Sequence, residues 1–351
     1  MKVLVVLNEK QLKDASDVHN AMDLMVQKGI VTDYHIYSYI YEMKSNSKSS
    51  EVVVSEICDI AIKDDMDMVL WMHPQLLSLD KNMLTKIQKL KEKNIVIGLW
   101  DGDIFGKFIK HTPKTLMKIG ALSDVSFVQG VGYFFNKLKK IGSKNVEFVP
   151  AVADQNRFDI NKKVENFKYD IVLIGNNYKK MFNFLDMKGS KLRRKIVELF
   201  SKEFGGKFAV YGIGWDRYSS NKGVIDYNKQ LEVYHKSKIA LGTNNPSAKY
   251  YFSDRLPIAM LSGKPVVYNY EEGLGKFFEG SEVYFYKDEY EALEMVEKLL
   301  KNNDEYFENT KYTNSEFAKS KLTMDHLMEY MISYMIALKN NSEKPKNPWI
   351  N

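Results

Sequence analysis

Two aspartates, Asp101 and Asp103, stand in the segment GLWDGDIFG at residues 98–106. The apolar run at residues 95–100 predicts a buried strand, and ligands of parallel sheets bind beyond the carboxyl ends of the strands. A carboxylate at that place can act as a general base and remove the proton from an attacking hydroxyl. A capped Asp-Gly turn is the structural alternative. Three histidines are the other candidate bases: His73, His111 and His19.

The segment SDRLPIAMLSGKPVV at residues 253–267 sets a polar entry before an apolar, helix-like run. Arg255 stands in that entry, and its planar guanidinium matches the geometry of phosphate oxygens. The start of a helix also directs backbone N–H groups toward anions. Arg255 is therefore our candidate for binding a diphosphate. A surface arginine paired with Asp254 or Glu272 is the structural alternative.

Glycine and polar residues follow several predicted strands of the second half and can contact the same ligand. Glycine lets the backbone approach a ligand closely, and arginine on the following helix can reach a phosphate. Turn formation explains the same glycine, asparagine and serine residues equally well. The complete set of candidate ligand-binding residues is Gly175, Asn176, Asn177, Arg193, Arg194, Gly212, Gly214, Asn244, Tyr250, Ser253, Asp254 and Arg255.

Strands that alternate with helices must position these side chains. The predicted strands lie at residues 2–7, 33–41, 68–72, 95–100, 124–128, 146–149, 170–175, 207–212, 239–241 and 265–268. This alternation predicts an α/β protein with parallel, doubly wound sheets, and its restart after residue 158 predicts two Rossmann-like domains. We expect the two domains to face each other across a cleft that binds the ligand.

The expected domain boundaries follow from this restart of the pattern. We predict an N-terminal Rossmann-like domain at residues 1–155 and a C-terminal Rossmann-like domain at residues 156–320. A last helix at residues 321–340 and a loose, polar tail at residues 341–351 complete the chain.

Composition narrows the class of protein. The chain has 351 residues, 44% of them hydrophobic, and a single cysteine, Cys58, which excludes internal disulfides and CxxC motifs. No signal-peptide pattern and no apolar stretch of about 18 residues is present, so we expect a soluble, cytoplasmic protein without a transmembrane segment.

Residues 151–250 carry 19 basic and 10 acidic side chains, a net charge of +9. This charge favours a phosphorylated ligand, with a solvated lysine-rich surface as the alternative.

Segments in the second half also carry a family resemblance through their order and spacing. They are PAVADQNRF (150–158), DIVLIGNN (170–177), AVYGIGW (209–215), YHKSKIALGTNNP (234–246) and the 253–267 segment. Together they resemble GT-B fold glycosyltransferases, most of all the spore-maturation-protein type related to glycosyltransferase group 1. The resemblance covers roughly residues 150–330.

The resemblance implies transfer of a sugar from a nucleotide diphosphate-sugar, foremost a UDP-sugar, to an acceptor hydroxyl. It also implies that residues 1–155 are the acceptor domain and residues 156–320 the nucleotide-sugar donor domain. The last helix is expected to cross back to the first domain. Protein cations and backbone N–H groups, rather than a metal, are expected to stabilise the leaving diphosphate. No cofactor is expected, because the nucleotide-sugar is a substrate. A more distant similarity to phage DNA β-glucosyltransferases implies that Asp101 is the base.

One position departs from the family pattern. Many group 1 enzymes place two glutamates where this chain has Tyr250 and Ile258, and the second usually binds ribose hydroxyls. We expect Asn244, Tyr250 or Glu272 to bind the ribose hydroxyls instead. The acceptor can be a glycan, a protein or a small molecule. Two other functions stay open, a phage-type transferase acting on hydroxymethylated DNA bases and a non-catalytic nucleotide-sugar-binding protein.

Overall fold

A computed structural model describes residues 1–11, 15–106, 110–158, 166–177, 188–309 and 311–350. The strands are β1 Lys2–Leu7, β2 Asp33–Ser38, β3 Met68–Met72, β4 Val96–Asp101, β5 Val125–Val128, β6 Val146–Phe148, β7 Tyr169–Ile174, β8 Phe208–Tyr211, β9 Ser237–Gly242, β10 Val266–Asn269 and β11 Val283–Tyr286. The helices are α1 Ser16–Gln27, α2 Tyr39–Ser45, α3 Ser50–Lys63, α4 Lys81–Glu92, α5 Lys114–Leu122, α6 Tyr133–Lys140, α7 Lys188–Phe204, α8 Gln230–His235, α9 Arg255–Leu261, α10 Leu274–Phe277, α11 Glu289–Leu300, α12 Asp304–Asn309, α13 Lys311–Lys321 and α14 Met324–Lys339.

The chain forms two compact units, each built on one parallel sheet. The first unit comprises Met1–Pro150 and Met324–Asn351, and the second comprises Ala151–Thr323. The first sheet has the strand order β2-β1-β3-β4-β5-β6, with every pair parallel. Strand β4 is buried at all six residues, because helices cover both faces of the sheet.

The second sheet has the order β11-β10-β9-β7-β8 and is also entirely parallel. From β7 the chain adds β8 on one side and then β9 on the other. The strand order therefore reverses between β7 and β9, which is the position where ligands bind in open parallel sheets. The core on one face of this sheet is apolar and includes Phe200, Trp215 and Tyr286.

The C-terminal segment belongs to the first unit, where α14 packs on α1 and β4. Gly98 of β4 makes room for this helix, since a Cβ atom there would lie 2.6 Å from the Met335 sulfur. The tail that follows is docked on the first unit, whereas we had expected it to be loose. The Asn347 amide donates to the Phe148 carbonyl at 2.8 Å, and the Trp349 ring packs edge-on against Tyr330 at 5.3 Å. Apolar burial of one aromatic ring therefore anchors a segment whose composition is polar.

The predicted elements differ from the structure mainly where aromatic residues obscure the pattern. The strand expected at residues 33–41 ends at Ser38, and the following tyrosines begin helix α2. Tyr39 is helical and fully buried, and its hydroxyl donates to the His73 carbonyl at 2.7 Å. Helices α5, α6, α10, α12 and α13 and strand β11 were not predicted. Helices α5 and α6 span only 9 and 8 residues, which is shorter than the window over which helical periodicity is recognised.

The docked tail leads to a stability prediction. We expect Trp349→Ala to lower the free energy of unfolding of the first unit by about 2–3 kcal/mol, because it empties a buried aromatic site. Chemical denaturation followed by circular dichroism measures this change. The matched control is Lys346→Ala, because Lys346 is exposed in the same tail. Equal stability of the Trp349 variant and the control would show that the tail is not docked.

Candidate functional site

The carboxyl ends of β7 and β9 meet around the side chain of Arg193, which lies on helix α7. Arg193 is only 4% exposed. Its Nη1 donates to the Asn176 carbonyl at 2.9 Å, and its Nε and Nη2 donate to the hydroxyl and carbonyl of Thr243, each at 2.5 Å. Asn176 follows β7 and Thr243 follows β9. The guanidinium therefore links the two strand ends at the point where the strand order reverses.

No carboxylate lies within 4 Å of Arg193 in the described ranges of the chain. Burial, and then repulsion from Arg255, lower the pKa of Arg193 to about 10, so the side chain is still charged at neutral pH. We had expected this arginine to face the ligand. The structure instead uses all of its observed hydrogen bonds to hold protein loops.

Arg255 lies beside Arg193 and is much less constrained. Within the described chain its guanidinium donates no hydrogen bond, and its Nε is buried without a partner. Its nearest carboxylate oxygen, on Asp254, is 4.0 Å away, and its side chain is 36% exposed. Two arginines thus stand together with one distant, half-exposed carboxylate. Such an excess of buried positive charge is costly unless an anion approaches it.

A small pocket runs along this part of the sheet edge, and Thr243, Ser253, Arg255 and Tyr268 are among the residues that line it. The Tyr268 hydroxyl donates to Asn244 Oδ1 at 2.6 Å and lies 3.3 Å from both the backbone nitrogen and the hydroxyl of Ser253. These bonds fix the pocket wall. Ser253 and Arg255 are the predicted residues that the structure places in this pocket.

Asn244 has a structural role where we had expected a ligand contact. It is 1% exposed, and its amide nitrogen donates to the Tyr251 carbonyl at 2.9 Å. Its backbone N–H donates to Asn269 Oδ1 at 2.5 Å. Both polar atoms of the Asn244 side chain are therefore bonded within the protein, since Oδ1 accepts from the Tyr268 hydroxyl and Nδ2 donates to the Tyr251 carbonyl.

The glycine loops after β7 and β8 pack against each other. Gly212 has φ of +140°, and a Cβ atom there would lie 2.5 Å from the Gly175 carbonyl oxygen. Asn176 Oδ1 accepts from Ile213 N at 3.0 Å, and Asn177 Nδ2 donates to the Gly214 carbonyl at 2.9 Å. Close backbone approach between two loops accounts for these glycines and asparagines without a ligand.

The other predicted residues lie around this centre. Arg194 is half-buried on α7, and Asp254 is half-exposed directly before α9. Tyr250 has a left-handed backbone with φ of +62°, and its N–H donates to the Glu272 carbonyl at 2.8 Å. Gly273 accommodates the Tyr250 ring, since a Cβ atom there would lie 2.2 Å from it.

Glu271 is a candidate that the sequence did not reveal. It follows β10, accepts from the Ser247 hydroxyl at 2.5 Å and from the Asn269 amide at 3.2 Å. Burial raises the pKa of its carboxyl above the ordinary value. Ile258, by contrast, is fully buried in α9, and Glu272 is exposed and paired with Lys249 at 2.8 Å. The half-buried acid at this sheet edge is therefore Glu271.

The first unit carries a second group of polar side chains at the carboxyl ends of β3 and β4. Asp101 is the last residue of β4 and is completely buried. Its carboxylate accepts from the Gln75 amide at 2.9 and 3.1 Å and from the Asp103 N–H at 2.9 Å. His73 Nδ1 lies 3.5 Å from Asp101 Oδ2. A fully buried carboxylate is a poor candidate for direct contact with an acceptor, contrary to our expectation for Asp101.

His73 presents the more accessible group of this pair. Its backbone is left-handed, with φ of +51°, and its ring packs edge-on against Trp100 at 4.5 Å. Burial lowers the pKa of His73, but the hydrogen bond and charge of Asp101, with Asp103 and Glu9, outweigh it and raise the pKa above its ordinary value. With Asp101 at Nδ1, Nε2 is left to exchange a proton.

Asp103 lies next to this pair but is engaged elsewhere. Its side chain is 45% exposed and forms an ion pair with Lys110 at 2.6 Å. Burial raises the pKa of Asp103, but Lys110 outweighs it, and the net pKa lies below its ordinary value. Gln75, which also donates to Asp103 at 3.1 Å, was not predicted. Its position three residues after β3, a strand beside β4, could have indicated that it lies near Asp101.

The described residues contain no group of three or more His, Cys, Asp or Glu side chains arranged to hold a metal ion. No helix in the described part of the chain is both long enough and apolar enough to cross a membrane.

Comparison with known proteins adds one family match. Residues 192–333, from within α7 into α14, match the model of the glycosyl transferase-like family. Among proteins of curated function, none matches the sequence.

Solved structures resemble nearly the whole chain. An E. coli structure described as trehalose-6-phosphate bound with UDP-2-fluoro glucose has a TM-score of 0.59 at 10% identity, covering 95% of this chain and 99% of that one. Anabaena HepE in complex with UDP has a TM-score of 0.55 at 11% identity, covering 97% and 100%. A Burkholderia vietnamiensis α,α-trehalose-phosphate synthase (UDP-forming) has a TM-score of 0.57 at 9% identity, covering 97% and 100%. At such low identity these similarities show the fold alone, and they confirm the predicted GT-B fold.

The packing of the glycine loops leads to a prediction with a matched control. Gly212 and Gly223 both have positive φ, and the Gly223 carbonyl accepts from the Gly212 N–H at 2.8 Å, yet a Cβ atom at Gly223 would meet nothing within 4 Å. We expect Gly212→Ala to destabilise the second unit by about 2 kcal/mol more than Gly223→Ala, because its methyl group would overlap the Gly175 carbonyl. Thermal unfolding of the two variants measures the difference. Equal losses would contradict the close approach of the loops.

Proposed function

We propose that this chain is a glycosyltransferase that moves a sugar from a nucleotide diphosphate-sugar, a UDP-sugar foremost, to an acceptor hydroxyl. The family match and the structures that hold UDP or a UDP-sugar support nucleotide-sugar glycosyl transfer.

One observation carries the proposal, the pair of arginines at the switch point of the second sheet. Arg193 is buried without a carboxylate within 4 Å in the described chain, and Arg255 has no hydrogen bond there. A diphosphate would neutralise this charge, and the Arg255 guanidinium can donate to two of its oxygens. Charge develops on the diphosphate as the glycosidic bond breaks, so a fixed cation stabilises the transition state more than the ground state.

Arg193 acts indirectly in this proposal. Its hydrogen bonds hold Asn176 and Thr243 in place, and its charge adds to the potential around Arg255. We propose that these protein cations do the work that a metal does in other transferases. Glu271 is proposed to accept hydrogen bonds from ribose hydroxyls, in place of the acid absent at Ile258.

For deprotonation of the acceptor we propose His73 as the base, with Asp101 as the residue that positions it. Asp101 near Nδ1 holds the ring in the tautomer that leaves Nε2 unprotonated, and it stabilises the imidazolium formed when Nε2 accepts the proton. This pair favours an enzyme over a non-catalytic binding protein, because binding alone does not need it.

Donor binding is tested by thermal shift with UDP, UDP-glucose and the corresponding GDP, TDP and CMP compounds. A ligand at 100 times its Kd adds about 2.7 kcal/mol of stability to the folded state. We expect UDP compounds to raise the unfolding midpoint, and Arg255→Gln to abolish at least nine-tenths of that shift.

The control is Arg217→Gln, which removes an exposed arginine of the same unit and should leave the shift unchanged. The assay is run with and without EDTA, and we expect no difference. Absence of a shift with every nucleotide, or an unchanged shift in Arg255→Gln, would refute the proposed donor site.

The proposed base leads to a pH prediction. His73 must be neutral to accept a proton, so kcat/KM should rise with pH through an apparent pKa above the ordinary value of about 6.5. His73→Gln should lower kcat by about 10²–10⁴-fold. Donor hydrolysis or transfer, measured by release of the nucleoside diphosphate, gives these rates.

Asp101→Asn separates positioning from a purely structural role. It should lower kcat and also move the acidic limb of the profile to lower pH, because the His73 imidazolium loses its counter-charge. A stable variant with an unmoved limb would contradict the pairing. Wild-type kcat in His73→Gln would rule out His73 as the base.

A further inference from the structure

Helices α4, α5 and α6 lie side by side on one face of the first sheet. Helix α4 packs on α5, and α5 packs on α6. All three bury apolar side chains in the same core, including Met83, Leu116 and Phe134. Their outward sides therefore form one continuous surface, which we name the α4–α6 face.

This face is strongly basic. Residues 81–93, 114–124 and 133–144 hold eleven lysines but only two acidic residues, Glu92 and Asp124. Asp124 pairs with Lys91 and Lys144, at 3.4 and 3.1 Å. On this face, the exposed lysines without a carboxylate of the described residues within 4 Å are Lys81, Lys89, Lys93, Lys114, Lys139 and Lys140. The neighbouring helix α3 has the opposite balance, with three acidic residues and one lysine, so the basic surface does not extend onto α3.

Aromatic side chains lie among these lysines on α6. The Tyr133 ring is 42% exposed, and Phe135 is half-buried. Lys137 Nζ lies 5.4 Å from the centre of the Tyr133 ring, and Lys139 Nζ lies 4.5 Å from the centre of the Phe135 ring. Phe134 and Leu138, on the other side of α6, are buried in the core. Basic and aromatic groups together on one exposed helix face suit the interface between lipid headgroups and acyl chains.

We propose that the α4–α6 face docks this protein on an anionic phospholipid surface. Lysine charges are attracted to the negative headgroups, and tyrosine places its ring at the boundary with its hydroxyl toward water. Nucleic acid is the less suitable polyanion. The first unit contains no arginine, all five arginines of the chain being at residues 157–255, so the face lacks the side chain that most often reads bases and clamps phosphates.

The test is sedimentation of the full chain with vesicles of phosphatidylcholine alone or mixed in equal parts with phosphatidylglycerol. We expect binding to the anionic vesicles only, weakening as salt rises because headgroup attraction is screened. The triple variant Lys89→Glu/Lys139→Glu/Lys140→Glu should bind about tenfold or more weakly, since each lysine near the surface contributes separately.

A charge-matched control separates the α4–α6 face from net charge. Lys202→Glu/Lys298→Glu/Lys301→Glu changes the charge by the same amount on exposed lysines of the second unit and should bind like the wild type.

Tyr133→Ser should weaken the binding that persists at high salt. Equal losses in both triple variants, no binding by the wild type, or tighter binding to duplex DNA or RNA than to anionic vesicles would each overturn the proposal. Nucleotide-induced thermal shifts of the same variants should stay unchanged, which keeps this test separate from that of the donor site.

Discussion

The buried guanidinium of Arg193 holds together the part of the second sheet where the strand order reverses. It joins the residues after β7 to those after β9 through bonds to Asn176 and Thr243. Because these bonds fix the guanidinium, its positive charge is held in place beneath the loops. No carboxylate of the described residues lies within 4 Å of it. Arg255 adds a second cation beside it. The geometry of the loops and the positive potential of the pocket therefore depend on the same side chain.

A buried charged side chain also orients its neighbours at a strand end of the first unit, but there the charge is negative. Asp101 is fully buried at the end of β4 and is stabilised by the Gln75 amide, by a backbone N–H and by His73. A buried ion needs several hydrogen bonds to offset the loss of hydration, and each bond orients its partner. His73 is oriented in this way, and its left-handed backbone is held by Trp100 and Tyr39. Perturbed pKa values at strand ends are typical of functional sites.

Much of the architecture could be predicted because it depends on local pattern. Apolar, β-branched runs identified ten of the strands, and their alternation with helices identified the parallel sheets. Individual site residues were harder to assign. Asn244 and Arg193 have the residue types of ligand-binding groups, yet their polar atoms are used by the protein itself. Glu271 and Gln75 follow the ends of β10 and β3, but their hydrogen bonds to Ser247 and to Asp101 join residues more than 20 positions apart, and no local pattern identifies such partners.

The sequence by itself determined the fold class, the positions of most strands and the residue types available at their carboxyl ends. Hydrophobic periodicity and turn chemistry are local, so they can be recognised without coordinates. Only the tertiary structure decided which polar groups are exposed and which are already bonded. It buried Asp101 and left His73 accessible, and it gave Arg193 protein partners while leaving Arg255 without a hydrogen bond among the described residues. Burial and hydrogen bonding depend on residues far apart in the chain, and their positions follow from packing rather than from sequence pattern.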